Sequence, residues 1–174
     1  MNMRIGIAIL GALVALVLQV VLAPNIAIAQ TMPNFIIVYA VTISMILSGP
    51  PAYIIVFFLG LASDLLGYGP VGSLSFILLI SAALINLAQK TFGNGTLFVS
   101  CISGVGFTIL IHFLHAAFMV AMTSTYSAID AFRLIAIPES LYDCVLAVLA
   151  YVLIHRLLAP PAQGPTAHTV GNLR

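Results

Sequence analysis

The side chains able to do chemistry in this chain are few and fall in three stretches. Asp64 ends the apolar run of FLGLASDLLGYGPVGS, residues 58–73. His112 and His115 lie three apart in ILIHFLHAA, so on a helix they share one face. Arg133, Glu139 and Asp143 follow in AFRLIAIPESLYDCV. Histidines with carboxylates are the raw material of proton transfer and of metal ligation. Each also has a plainer reading. Two histidines fall short of the three or four ligands a metal needs, so helix-packing histidines are the default and no metal is expected. Glu139 follows Pro138 at a helix start, where it suits the positive end of the helix dipole. Asp143 sits about a turn deeper and needs a partner, either Arg133 or a hydrogen bond to a neighbour. Asp64 is tolerable at a wet outer rim, and its carboxylate can accept backbone N–H groups of the glycine turn that follows; Asp64→Asn would then be mild. The chain has no GxSxG, HExxH or Walker loop. No catalytic residue and no cofactor is assigned.

The elements that must place these groups follow from composition. Of 174 residues, 63% are hydrophobic and only 5% charged, with a mean hydropathy of +1.24. A soluble domain carries roughly 25% charged residues, so this chain belongs in a lipid bilayer. A net charge of +1 offers a nucleic acid no electrostatic hold. The apolar runs are 5–23, 35–47, 51–66, 71–89, 96–122 and 137–158. A single helix across 34–66 would be roughly 50 Å long, too long for one crossing of a ~30 Å hydrocarbon core. SGPP, residues 48–51, divides it into two short helices and a tight turn. The expectation is an all-α membrane protein, a bundle of six transmembrane helices, with five as the alternative. The segment TSTYSAIDAFRLIA reads as a polar connection before the last helix.

Six crossings put Arg4, Lys90, Arg156 and Arg174 on one side and Arg133 on the other. The positive-inside bias then places both termini in the cytoplasm. MNMR and AIAQ resemble a signal peptide, but the first apolar run exceeds the usual 7–15 residues and reads as an uncleaved anchor. Residues 1–158 form the transmembrane domain, and 159–174, APPAQGPTAHTVGNLR, a disordered cytoplasmic tail. In this arrangement Asp64, His112, His115, Arg133, Glu139 and Asp143 all belong to the outer half. That asymmetry predicts an outward-opening polar cavity or a polar seam between the third, fifth and sixth helices. Gly67, Gly69 and Gly72 flank Pro70 in a tight turn, and Gly60 lets neighbouring backbones approach. Cys101 and Cys144 fall in opposite leaflets, too far apart for a bridge.

Two stretches carry a resemblance. FFLGLASDLLGYGPVGSLSFILL and AIPESLYDCVLAVLAYVLIHRLL are similar to the rod shape-determining protein MreD family, although Asp143 stands where asparagine is expected. The short first loop beginning LAPN and the overall size also fit. The resemblance implies a non-enzymatic, multi-pass protein of the bacterial inner membrane that takes part in cell-wall elongation. Its implied partners are an MreC-like protein and, through it, MreB, RodA and a class B penicillin-binding protein. The family in turn resembles the substrate-binding subunits of energy-coupling-factor vitamin transporters. A capture subunit of that type is the alternative, and Ala8 and Ala12 have the spacing by which such subunits dock their transport partner. A membrane-embedded enzyme is the third reading.

Overall fold

The computed structural model describes residues 3–28, 31–67, 70–92, 97–122 and 127–158, so Gly69 and the tail 159–174 lie outside the described residues. Helix α1 spans Met3–Val21 and is followed by a 3-10 turn at Ala23–Ile26. Helices α2 and α3 span Phe35–Ile46 and Pro50–Leu66. They are followed by α4 at Ser73–Phe92 and α5 at Leu97–Met122. A helical turn α6 at Ala128–Asp130 leads through a π-helix at Ala131–Ala136 into α7 at Ile137–Leu158.

The break between α2 and α3 falls at the expected place. Gly49 adopts φ +82°, a left-handed conformation that glycine accepts without strain, and Pro50 starts the next helix where no N–H is needed. α2 has 12 residues, about 18 Å, and does not match the ~30 Å of a hydrocarbon core. Helices α1, α4 and α5 and the run Ala131–Leu157 are long and apolar enough to cross; α2 and α3 are shorter. The shortness of α2 fits its position. Every residue from Ile36 to Ser44 is buried, because α2 is apolar all round and the other long helices surround it. Its threonine and serine hydroxyls are satisfied locally, Thr42 donating to the Val38 carbonyl and Ser44 to that of Ala40.

Helix directions alternate. The end of α1 meets the start of α2 through Gln19, and the end of α2 meets the end of α4 through Asn86. The end of α3 meets the start of α4 through Asp64, and His112 of α5 meets the first turns of α7. The segment before α7 departs from the expected polar loop, since it is helical from Ala128 onward. Pro138 is therefore not at a free helix start. It lacks an N–H, and its ring crowds the carbonyl four residues back. The wide turns of Ala131–Ala136 absorb this, with the Ile137 N–H bonding to the Phe132 carbonyl. Both thiols are free, and Cys144 approaches the Val105 carbonyl, one turn along α5 from Cys101. The two cysteines thus differ in depth by little more than a turn, not by a leaflet.

The tightest joint is α3 on α4. A Cβ added to Gly60 would lie 2.7 Å from the Ser75 Cα, a backbone atom that cannot turn aside. At Gly104 the corresponding neighbour is the Met45 sulfur at 3.2 Å, the end of a flexible side chain. We therefore expect Gly60→Ala to cost about 1–3 kcal/mol by forcing α3 and α4 apart. Gly104→Ala should be close to neutral. Thermal melting of the purified protein in detergent measures both, and equal melting of the two variants would contradict this account of the joint.

Candidate functional site

The polar side chains within the bundle separate into three groups rather than one cavity. The first is built on Asp64, in the last turn of α3. It is buried, not at a wet rim. Its Oδ2 accepts the Gly72 N–H at 3.0 Å, the Ser75 N–H at 3.1 Å and the Ser75 hydroxyl at 3.0 Å. Its Oδ1 accepts the Leu74 N–H at 3.1 Å and the Ser73 hydroxyl at 3.3 Å. The first turn of α4 has no partners of its own for these N–H groups, and Asp64 supplies them from the preceding helix. The turn between is set by Gly72 at φ +95° and by the Ser73 N–H bonding to the Pro70 carbonyl. Gly67 closes α3 by bonding to the Ser63 carbonyl and keeps an ordinary negative φ. Since both carboxylate oxygens receive backbone donors, Asp64→Asn is not the mild change its acceptor oxygen alone implied.

The second group joins four helices. His112, almost fully buried in α5, places Nε2 2.8 Å from Asp143 Oδ2. Its Nδ1 lies 3.6 Å from Glu139 Oε2, ion-pair range but beyond a hydrogen bond. Asp143 is fully buried, and its other oxygen accepts the Asn34 N–H at 2.9 Å, just before α2. Asn34 caps α2 by accepting from the N–H groups of Ile36 and Ile37, and Gln19 of α1 accepts the Phe35 N–H at 2.8 Å. Glu139 is part-exposed, so the set runs from a wetter carboxylate through a histidine to a dry one. It ends on a backbone N–H, which cannot take up a proton. That geometry suits a clamp better than a proton conductor.

Arg133 is not part of the clamp. It is exposed on the π-helical segment and makes no ion pair among the described residues, so the expected Arg133–Asp143 contact does not form. Asp143 is committed instead to His112 and the Asn34 N–H. His115 is half-buried one turn beyond His112 and takes no hydrogen bond among the described residues. Glu139 does not cap an open helix end, because the helix continues N-terminal to it; it faces His112. No group of three His, Cys, Asp or Glu with metal-holding geometry occurs among the described residues.

The third group is Asn86 in α4, which closes the α2–α3 hairpin. Its Oδ1 accepts the Gly49 N–H at 3.1 Å, and its amide donates to the Ser44 and Ala82 carbonyls. Gln19, Asn34 and Asn86 are functional parts of the fold that charge-based reading overlooked. Their signal was present as isolated amides inside or beside apolar runs, in VLQVV, PNFII and LINLA. Ala8 is also fully buried, its carbonyl accepting the Tyr39 hydroxyl at 2.6 Å. The Ala8–Ala12 stripe thus packs inward and is not a free docking face.

Fold and site together define a class: a helical membrane protein whose buried polar groups close helix ends instead of lining a chamber. Within that class, the chain matches the family described as rod shape-determining protein MreD over residues 1–160, and it belongs to that family. Comparison with curated proteins and with solved structures returned no match.

Two substitutions separate charge from hydrogen bonding. Asp64→Asn must turn its NH2 toward a backbone donor, so we expect it to lose about 1–3 kcal/mol, and Asp64→Leu more. Asp143→Asn should be tolerated, since its oxygen can accept the Asn34 N–H while its amide donates to a bare His112 Nε2. Asp143→Leu strands both partners. Membrane protein level and detergent melting are the readouts, and an Asp143→Asn variant as damaged as Asp143→Leu would show that the clamp requires charge.

Proposed function

We propose that this protein is a non-enzymatic component of the rod-shape complex, a multi-pass protein of the bacterial inner membrane. In this reading it binds an MreC-like protein and through it supports MreB-guided peptidoglycan synthesis by RodA and a class B penicillin-binding protein. The observation that carries the reading is the family match across residues 1–160. It is supported by how the buried polar groups are used. Asp64, Asp143, Gln19 and Asn86 all bond to backbone groups of neighbouring segments, as a rigid scaffold requires and as a reaction centre does not.

The same reading includes six crossings with both termini in the cytoplasm. Arg4, Lys90 and Arg156 then lie together on the inner side, and Arg133 lies outside. It also includes a helix arrangement like that of energy-coupling-factor substrate-binding subunits, without their capture function. The burial of Ala8 supports reading the Ala8–Ala12 spacing as packing within the bundle.

The test is complementation of a strain depleted of its own family member. Wild-type protein should restore rod shape and co-purify with an MreC-like protein from detergent-solubilised membranes. Asp143→Asn should do both, and Asp143→Leu should fail in proportion to its lost protein level. Round cells at normal protein level with no co-purification by the wild-type chain would sink the proposal. Reporter fusions after residues 30 and 158 test the topology, and a periplasmic signal at 158 would exclude cytoplasmic termini.

A further inference from the structure

Between α1, α2 and α7 runs an open groove of about 440 Å³. Ile7, Gly11 and Leu18 line one side, and Leu149, Leu153 and Leu157 line the other. Tyr39 brings the groove a hydroxyl, and that hydroxyl is already donated to the Ala8 carbonyl. Nothing in the walls solicits a polar ligand. From Ile7 to Leu18 the groove extends roughly 16 Å at 1.5 Å per residue. Apart from Phe35 and Tyr39 the lining is aliphatic or glycine, so a hydrocarbon chain packs there without stranding a polar group.

The charges at the two ends differ. The end of α1 and the first turns of α7 meet at the end where Gln19, Asn34 and Asp143 are linked. The start of α1 and the end of α7 therefore lie at the other end. Arg4 stands there one turn before Ile7, and Arg156 one turn after Leu153. Both are exposed, and neither makes an ion pair among the described residues. Asp64, Asp130, Glu139 and Asp143 all belong to elements at or near the opposite end, so nothing acidic competes for these arginines. An apolar slot with an exposed, unpaired arginine one turn beyond each wall, at the same end of the bundle, matches an amphiphile with an anionic head.

We propose that this groove is a binding site for an anionic phospholipid, with one acyl chain between α1 and α7 and the phosphate held by Arg4 and Arg156. The test uses the full-length protein, purified in detergent, stripped of lipid and titrated with phosphatidylglycerol or phosphatidylcholine under native mass spectrometry. Wild-type protein should favour phosphatidylglycerol about tenfold, as two arginines at an anionic headgroup predict. Arg4→Gln/Arg156→Gln should lose that preference and still bind phosphatidylcholine. Ala150→Phe and Val14→Phe, which fill the groove from α7 and α1, should weaken both lipids, with detergent melting reporting whether each variant remains folded. Equal retention of the two lipids by the wild-type chain overturns the proposal. So does a preference unmoved by the double arginine substitution, or undiminished lipid binding in both folded groove-filling variants. Crosslinking from position 14 or 149 that captures a partner's transmembrane segment and excludes lipid would also overturn it, by assigning the groove to protein.

Discussion

The start of α2 is the point on which this bundle depends. A short helix that begins inside a packed, apolar assembly exposes N–H groups that water cannot reach, and each left unpaired there costs several kcal/mol. Three side chains resolve the problem. Asn34 caps its own helix, Gln19 reaches in from α1, and Asp143 accepts the Asn34 N–H from α7. His112 then bonds the second oxygen of Asp143 and ties α5 to the same place. Four helices are thus joined at the first turn of the most buried one. A helix wrapped on all sides can be short only if its polar ends are closed by its neighbours.

The same solution recurs at the other internal helix starts. Asp64 of α3 closes the first turn of α4, and Asn86 of α4 holds the Gly49 N–H just before α3. These two contacts sit at opposite ends of the antiparallel α3–α4 pair, with Gly60 pressed against Ser75 near the Asp64 end. Ends pinned by hydrogen bonds and a close backbone approach beside one of them give a joint that resists sliding. Hydrogen bonds to a carboxylate are the stronger kind, about 1.5–3 kcal/mol each, so a single aspartate can offset the cost of its own burial.

For a member of a shape-determining family this economy has a consequence. Asp64, Asp143, Gln19 and Asn86 are committed to backbone donors. Surface is what remains for partners: long apolar helix faces, exposed arginines and the slot between α1 and α7.

Much of this was legible in the sequence for a direct reason. Apolar runs of bilayer length, the SGPP break and the scarcity of charge are local properties, and they determine a helical membrane protein whose elements lie where the runs lie. Asp64 beside a glycine turn was legible as an acceptor for backbone donors because donor and acceptor are separated by few residues. Long-range choices were not. Whether Asp143 would pair with Arg133, ten residues away, or with Asn34 and His112, far off in the chain, depends on which helices pack together; helix packing selected the latter. Pro138 reads locally as a helix start, and only the helical lead-in with its π turns makes it an interior residue. Ala8 and Ala12 have the spacing of a docking stripe, and only the packed bundle shows Ala8 buried with its carbonyl bonded to Tyr39. The sequence by itself determined the solvent this protein lives in and the segments that cross or fill it. Tertiary structure decided which polar group closes which helix end, because a capping bond depends on a neighbour's position in space and not on its distance along the chain.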